Sequence, residues 1–137
     1  MRYLIVANQT LNSQQLAETL RMRAAEGATH FHFVVPATRP QDQASAVEGD
    51  GDAVEIANER LKSAIERFGE LGPSVSGEVG TEDPFQAIRD AVDKQRCDCI
   101  IVVTLPKKGS RWMRRDVPSR LRREFRTLLV DHIELRS

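Results

Sequence analysis

Apolar and polar residues alternate along this chain in two different rhythms. Short, nearly continuous apolar runs read as buried strands, and the longer segments between them carry apolar residues at helical spacing. The first run, Tyr3-Leu4-Ile5-Val6-Ala7, is apolar on both faces, which predicts a central parallel strand. Asn8-Gln9-Thr10 turns the chain. Asn12 or Ser13 can cap a helix that runs to about Glu26, with Leu16, Leu20 and the Met22-Arg23-Ala24 turn on its inner side and Gly27 as its stop. His30-Phe31-His32-Phe33-Val34-Val35 is a second strand, ended by Pro36. From Pro36 to Asp52 the chain is polar, rich in Pro, Gly and Asp, and without apolar period, which predicts a long surface loop.

Helical spacing returns from Ala53 to Leu71, through Val54, Ala57, Leu61, Ala64-Ile65 and Phe68. Val75 to Val79 is a weaker strand that carries Ser76, Gly77 and Glu78, so it belongs nearer a sheet edge. Gly80-Thr81-Glu82-Asp83-Pro84 opens a third helix, with Thr81 or Asp83 as cap and Pro84 in the first turn. Phe85, Ile88, Ala91 and Val92 give it an apolar side. The stretch from Cys97 to Glu134 then sets a fully apolar strand, Ile100-Ile101-Val102-Val103, before the loop Thr104-Leu105-Pro106-Lys107-Lys108-Gly109-Ser110. A basic helix from Arg111 to Phe125 and a last strand beginning at Leu128-Leu129-Val130 complete it. Strands alternating with helices call for one α/β domain with a parallel sheet, right-handed crossovers and helices on both faces.

Composition adds little to this and removes some alternatives. The 137 residues suit a single domain with a real core, and 40% hydrophobic with 29% charged residues is ordinary for a globular protein. The 20 basic and 20 acidic residues cancel, which argues against a dedicated nucleic-acid binder. Charge is uneven, however: residues 107–126 hold nine Lys/Arg against Asp116 and Glu124, a net +7 on an otherwise acidic chain. The N-terminus shows no signal or lipidation pattern, and no apolar run has the length of a membrane span, so the expected location is cytoplasmic, with no membrane partner. Cys97 and Cys99 fit a reducing compartment. Two residues apart on a strand, they are expected on one face, a poor geometry for a disulfide.

Candidate chemistry is sparse. Lys107, Lys108, Gly109, Ser110 and Arg111 lie between a buried strand and a helix start, where α/β proteins hold anions. The competing reading is a solvated loop, and it stands slightly ahead. The arginines at 114, 115, 120, 122, 123 and 126 read as a solvated helix face, since Trp112, Leu121 and Phe125 are needed for packing. His30 and His32 share a strand face without a third metal ligand at any fixed spacing. No Ser-His-Asp pattern, zinc spacing or carboxylate with a perturbing neighbour stands out, so neither a catalytic residue nor a metal site is assigned.

Some residues carry more than the alternation. Arg2 to Asn8, His30 to Val35, Gly77-Glu78-Val79-Gly80 with Asp83-Pro84 and Ala87-Ile88, and the whole of Asp98 to Ile133 fall in an order and spacing that resembles the universal stress protein family over essentially the full chain. The resemblance implies one doubly wound five-stranded sheet of order 3-2-1-4-5 and a homodimer formed through the last strand. Leu129, Val130, Asp131, His132 and Ile133 are the residues expected at that dimer edge. It also implies ATP, AMP or another phosphate ligand, held in the family by a pattern of Gly, two residues, Gly, nine residues, then Gly with Ser or Thr. Here Thr104 and Lys107 stand at the first two positions and Arg115-Asp116 at the last. Asn8 replaces the usual acidic residue after strand 1. Side chains at Thr104 and Lys107 would obstruct a backbone cradle for phosphate.

The sequence thus favours a non-catalytic stress or regulatory protein with a degenerate nucleotide site and no firm cofactor. The first alternative is a module that takes a nucleotide or other phosphate through Asn8, Thr104 and the basic loop up to Arg111. The second is a small enzyme acting on a phosphorylated compound.

Overall fold

A computed structural model describes residues 1–8, 10–37, 50–105 and 116–135. The chain follows the predicted alternation: β1 (Arg2–Val6), α1 (Gln14–Ala25), β2 (His30–Pro36), α2 (Asp50–Phe68), β3 (Ser74–Gly80), α3 (Pro84–Lys94), β4 (Cys99–Thr104), α4 (Val117–Glu124) and β5 (Leu129–Glu134). All strand pairings are parallel, and the spatial order is β3-β2-β1-β4-β5. The strand predicted to be central is central, and the weak strand with Gly77 lies at an edge.

Two cores follow from the period of two along each strand. On one face, Ile5, Phe31, Phe33, Ile101 and Val103 pack against Leu16 and Leu20 of α1 and against Ala57, Leu61 and Phe68 of α2. On the other, Leu4, Val6, Val34, Ile100 and Val102 pack against Phe85, Ile88 and Ala91 of α3 and against Val117 and Leu121 of α4. Burying side chains of this size stabilises by roughly 1.5–3 kcal/mol each, which is why Leu4–Val6 of β1 and Ile100–Val103 of β4 are all apolar.

Turn and cap chemistry hold the helices in place. Ser13, one of the two caps expected for α1, accepts a hydrogen bond from the Leu16 N–H. Asp83 does the same for the Phe85 N–H at the start of α3, with Pro84 in the first turn. Two β3 glycines set how closely the helices approach. A Cβ on Gly77 would meet Leu61 Cδ1 at 2.3 Å, and one on Gly80 would meet the Ala87 Cβ at 2.5 Å.

Several expectations need correction. Helix α2 begins at Asp50, so residues 50–52, expected in the surface loop, are helical; the helix ends at Phe68. The Gly69 N–H still bonds the Ile65 carbonyl, and Gly72 turns the chain with φ +113°. The basic helix does not run unbroken from 111 to 125. Asp116 takes a left-handed conformation, φ 53°, and α4 starts only at Val117. A residue in that conformation cannot continue a right-handed helix. Cys97 and Cys99 do not share a face. Cys99 opens β4 and joins the α1/α2 core, whereas Cys97 lies before the strand and packs against the α3/α4 core.

Candidate functional site

In a sheet of this order the connections leave in opposite directions at β1 and β4, and the crevice beyond their carboxyl ends is where ligands bind in open α/β folds. Asn8 and Thr104 occupy that position at the ends of β1 and β4. Both are buried, at 5% and 2% exposure, and each is held by protein groups. The Asn8 side-chain amide donates to the Pro36 carbonyl at 2.6 Å, and its oxygen accepts from the Arg60 guanidinium of α2. This ties the end of β1 to the end of β2 and to the helix above it. Thr104 Oγ1 lies 2.7 Å from His132 Nε2 on β5. Thr10 crosses the switch point from the loop after β1 and donates to the Val103 carbonyl at 3.0 Å. The Leu135 N–H donates to the Thr104 carbonyl, which extends the β4–β5 ladder past the last strand residue.

Of the residues expected to hold an anion, the structure therefore brings Asn8 and Thr104 to one crevice. Lys107, Lys108, Gly109, Ser110 and Arg111 lie outside the described residues. So do Trp112, Arg114 and Arg115. In α4, Arg120 and Arg122 are exposed, as a solvated face requires, and each also touches the protein. Arg120 sits over the Phe85 ring, 3.9 Å from its centroid, and Arg122 donates to the Val130 carbonyl at 3.4 and 3.2 Å. Glu124 is clamped by two Arg89 nitrogens, Nε at 2.6 Å and Nη2 at 2.9 Å. Arg123 and Arg126 are exposed.

The dimer-edge residues divide by face as their alternation predicts. Val130 enters the α3/α4 core and Ile133 packs on the α1/α2 core. Asp131 meets Arg23 at 2.9 Å and the Cys99 thiol at 3.6 Å. Burial, with Asp131 beside it, pushes the Cys99 thiol up to about 12, so it is a packed neutral group. Leu129 is 61% exposed at the start of the strand. Burial lowers the pKa of His132; Glu134 opposes the shift and Arg122 adds to it.

A second polar cluster lies on the α3 side of β2 and β3. Register places His30 beside Ser74 and His32 beside Ser76. His30 Nδ1 is 2.7 Å from Ser74 Oγ, and its Nε2 is 2.8 Å from Ser76 Oγ. Ser76 Oγ is also 2.7 Å from His32 Nδ1, and His32 Nε2 is 2.8 Å from Glu78 Oε2. Lys94 closes the row on Glu78 Oε1 at 2.7 Å. Burial disfavours the Glu78 carboxylate, but hydrogen bonds from Lys94 and His32 outweigh it and hold its pKa below the ordinary value. Glu78 is thus a carboxylate with perturbing neighbours, contrary to expectation. The usable signal was the alternation Ser74, Ser76, Glu78, a polar row on the strand that pairs with two histidines. Among the described residues, no group of three or more His, Cys, Asp or Glu side chains is placed to hold a metal ion.

Comparison with solved structures identifies the architecture. A universal stress protein from Archaeoglobus fulgidus superposes with a TM-score of 0.58 at 16% identity, covering 99% of this chain and 93% of that one. A universal stress protein family member from Burkholderia pseudomallei gives 0.60 at 18% identity, covering 96% and 94%. This chain has the universal stress protein fold. No protein-family model and no curated protein matches the sequence. At these identities the likeness lies in the path of the backbone. The universal stress protein fold supplies the 3-2-1-4-5 sheet and the switch point, and this chain lines that switch point with residues of its own.

Proposed function

We propose that the protein is a non-catalytic regulatory protein of the universal stress protein type, cytoplasmic and dimeric, whose nucleotide site is degenerate. The observation that carries this reading is the engagement of Asn8 and Thr104. These are the polar side chains at the ends of the two switch-point strands. One is bound to Pro36 and Arg60, the other to His132. A nucleotide would meet side chains already held by protein partners, in a place where the fold's phosphate loop relies on backbone N–H groups left open by glycine. Among the described residues no helix is long and apolar enough to cross a membrane. Edge strand β5, with exposed Leu129, supports pairing with a second copy.

Thermal melting with millimolar ATP, AMP or a cyclic nucleotide tests the site. A ligand present at about a hundred times its Kd stabilises by about 2.7 kcal/mol, enough to move a melting curve by several degrees. The expected result is no shift. A shift that disappears in the Lys107→Ala, Lys108→Ala double variant would replace this reading with a phosphate-binding module on residues 104–111. Phosphate release from ATP in proportion to protein concentration would make the protein an enzyme. Light scattering is expected to give about twice the 15.4 kDa chain mass, and a mass of one chain would remove the dimer.

A further inference from the structure

The polar row between β2, β3 and the end of α3 has a direction, because several of its donors cannot reverse. Lys94 can only donate, and an ionised Glu78 can only accept. His32 Nε2 must therefore carry a proton toward Glu78, which leaves Nδ1 as an acceptor. The Gln95 side-chain amide nitrogen lies 3.3 Å from the same Nδ1, a placement that suits an acceptor there. Ser76 then donates its hydroxyl proton to His32 Nδ1, and its oxygen accepts from His30 Nε2. His30 Nδ1 is left to accept from Ser74. Five side chains in a line are satisfied by one assignment of protons.

We propose that Ser74, His30, Ser76, His32 and Glu78 form a one-proton relay: the row takes up a single proton that the two imidazoles share through Ser76. Ser74 has the geometry for uptake. Its Oγ lies 2.7 Å from His30 Nδ1 and 3.3 Å from the Thr29 carbonyl. When Nδ1 gains a proton, that N–H donates to Ser74, whose own proton turns to Thr29. The His30 Nε2 proton can then pass to Ser76 Oγ as the Ser76 proton passes to His32 Nδ1. The charge moves from one ring to the other, with each bond broken matched by one formed. His32 becomes the imidazolium beside Glu78, the Gln95 amide gives up its contact with Nδ1 or turns its oxygen to it, and His30 is left neutral with its proton on Nδ1.

A second proton meets opposition. His30 Nε2–H and His32 Nδ1–H would both point at Ser76 Oγ, on stacked rings whose centroids are 6.3 Å apart. The other charges around the row are Arg2 of β1, which disfavours charge on His30, and Glu78 with Lys94, itself influenced by Asp90. Because both rings bond the one Ser76 Oγ, a proton gained by the row belongs to the pair. Ser76 is not a catalytic serine in this arrangement: its oxygen is bracketed by two imidazoles, and its role is to join them.

Ring-nitrogen NMR on the full chain, over a pH titration, tests the relay. In the wild type, His30 and His32 are expected to show Nε2–H tautomers at high pH and two common midpoints, each ring reporting part of both steps. Ser76→Ala should remove the sharing, so that each ring shows one dominant step of its own. Ser76→Thr, which keeps the hydroxyl and suits a strand, should restore the shared curve. Independent single-midpoint curves of full amplitude in the wild type would overturn the relay, whatever the variants do. So would an Nδ1–H tautomer for His32 at high pH.

Discussion

Asn8 shows how a single side chain can tie separate elements together. Its amide donates to a buried carbonyl of Pro36 and accepts from Arg60. An acidic residue there could keep the Arg60 contact but would place a carboxylate oxygen against the Pro36 carbonyl, where only a donor fits. Asn8→Ala leaves that buried carbonyl without its donor, which typically costs about 1–3 kcal/mol. Urea unfolding should show this as a lower midpoint with an unchanged slope. The sequence exposed Asn8 as a departure from the pattern it resembles, yet nothing in the sequence named its partners. Pro36 lies 28 positions away and Arg60 lies 52 away, and only the parallel register brings them together.

Among the elements, strand β3 and helix α3 depend on a close approach that Gly80 permits. A Cβ at Gly80 would come within 2.5 Å of the Ala87 Cβ, which is fixed to the helix backbone and cannot rotate away. Gly80→Ala should force α3 outward and cost about 1–3 kcal/mol, as overpacking of a tight contact does. The exposed Arg89–Glu124 clamp between α3 and α4 is a useful contrast. Its geometry is good, yet both groups are solvated, so Arg89→Ala should leave the melting temperature close to that of the wild type. Differential scanning calorimetry of the two variants separates packing from surface pairing. The elements themselves were legible because the short, continuous, β-branched apolar runs bounded by turn residues differ in length and spacing from the longer segments with a period near 3.6. The ends were less legible. Residues 50–52 carry no apolar signal that would mark them as helix, and the left-handed turn at Asp116 is a property of one residue that periodicity does not register.

For the whole molecule, His30, His132 and Glu78 make stability fall with acid. His30 and His132 have pKa values lowered in the folded chain, chiefly by burial. The unfolded chain binds their protons first, so stability is lost as pH drops below about 6.5. Glu78 has a lowered pKa as well, net of its burial. Its contribution is present above the ordinary carboxylate range and is lost as pH falls through its folded value. Both effects have the same sign. Urea midpoints measured at pH 7.5, 5.5 and 4 should decrease in that order; a midpoint that held steady or rose would contradict the burial of these groups. At this scale the central place of β1 could be read from the chain's apolar pattern, and the sheet order only through the resemblance to universal stress proteins. The polar row on β2 and β3 could not, because its members come from three segments and become a unit only through strand register.

Parallel pairing throughout the sheet also has a mechanical side. Every strand points the same way, so Met1 enters at one margin of the sheet and Leu135 leaves at the opposite margin. Tension applied between these two points runs along the strands, loading the ladders in shear rather than opening them one rung at a time. β1 is braced by a ladder on each side, whereas β5 is held on one side only. Under load the chain would yield at β5, and the β3-β2-β1-β4 block would still be intact when it did.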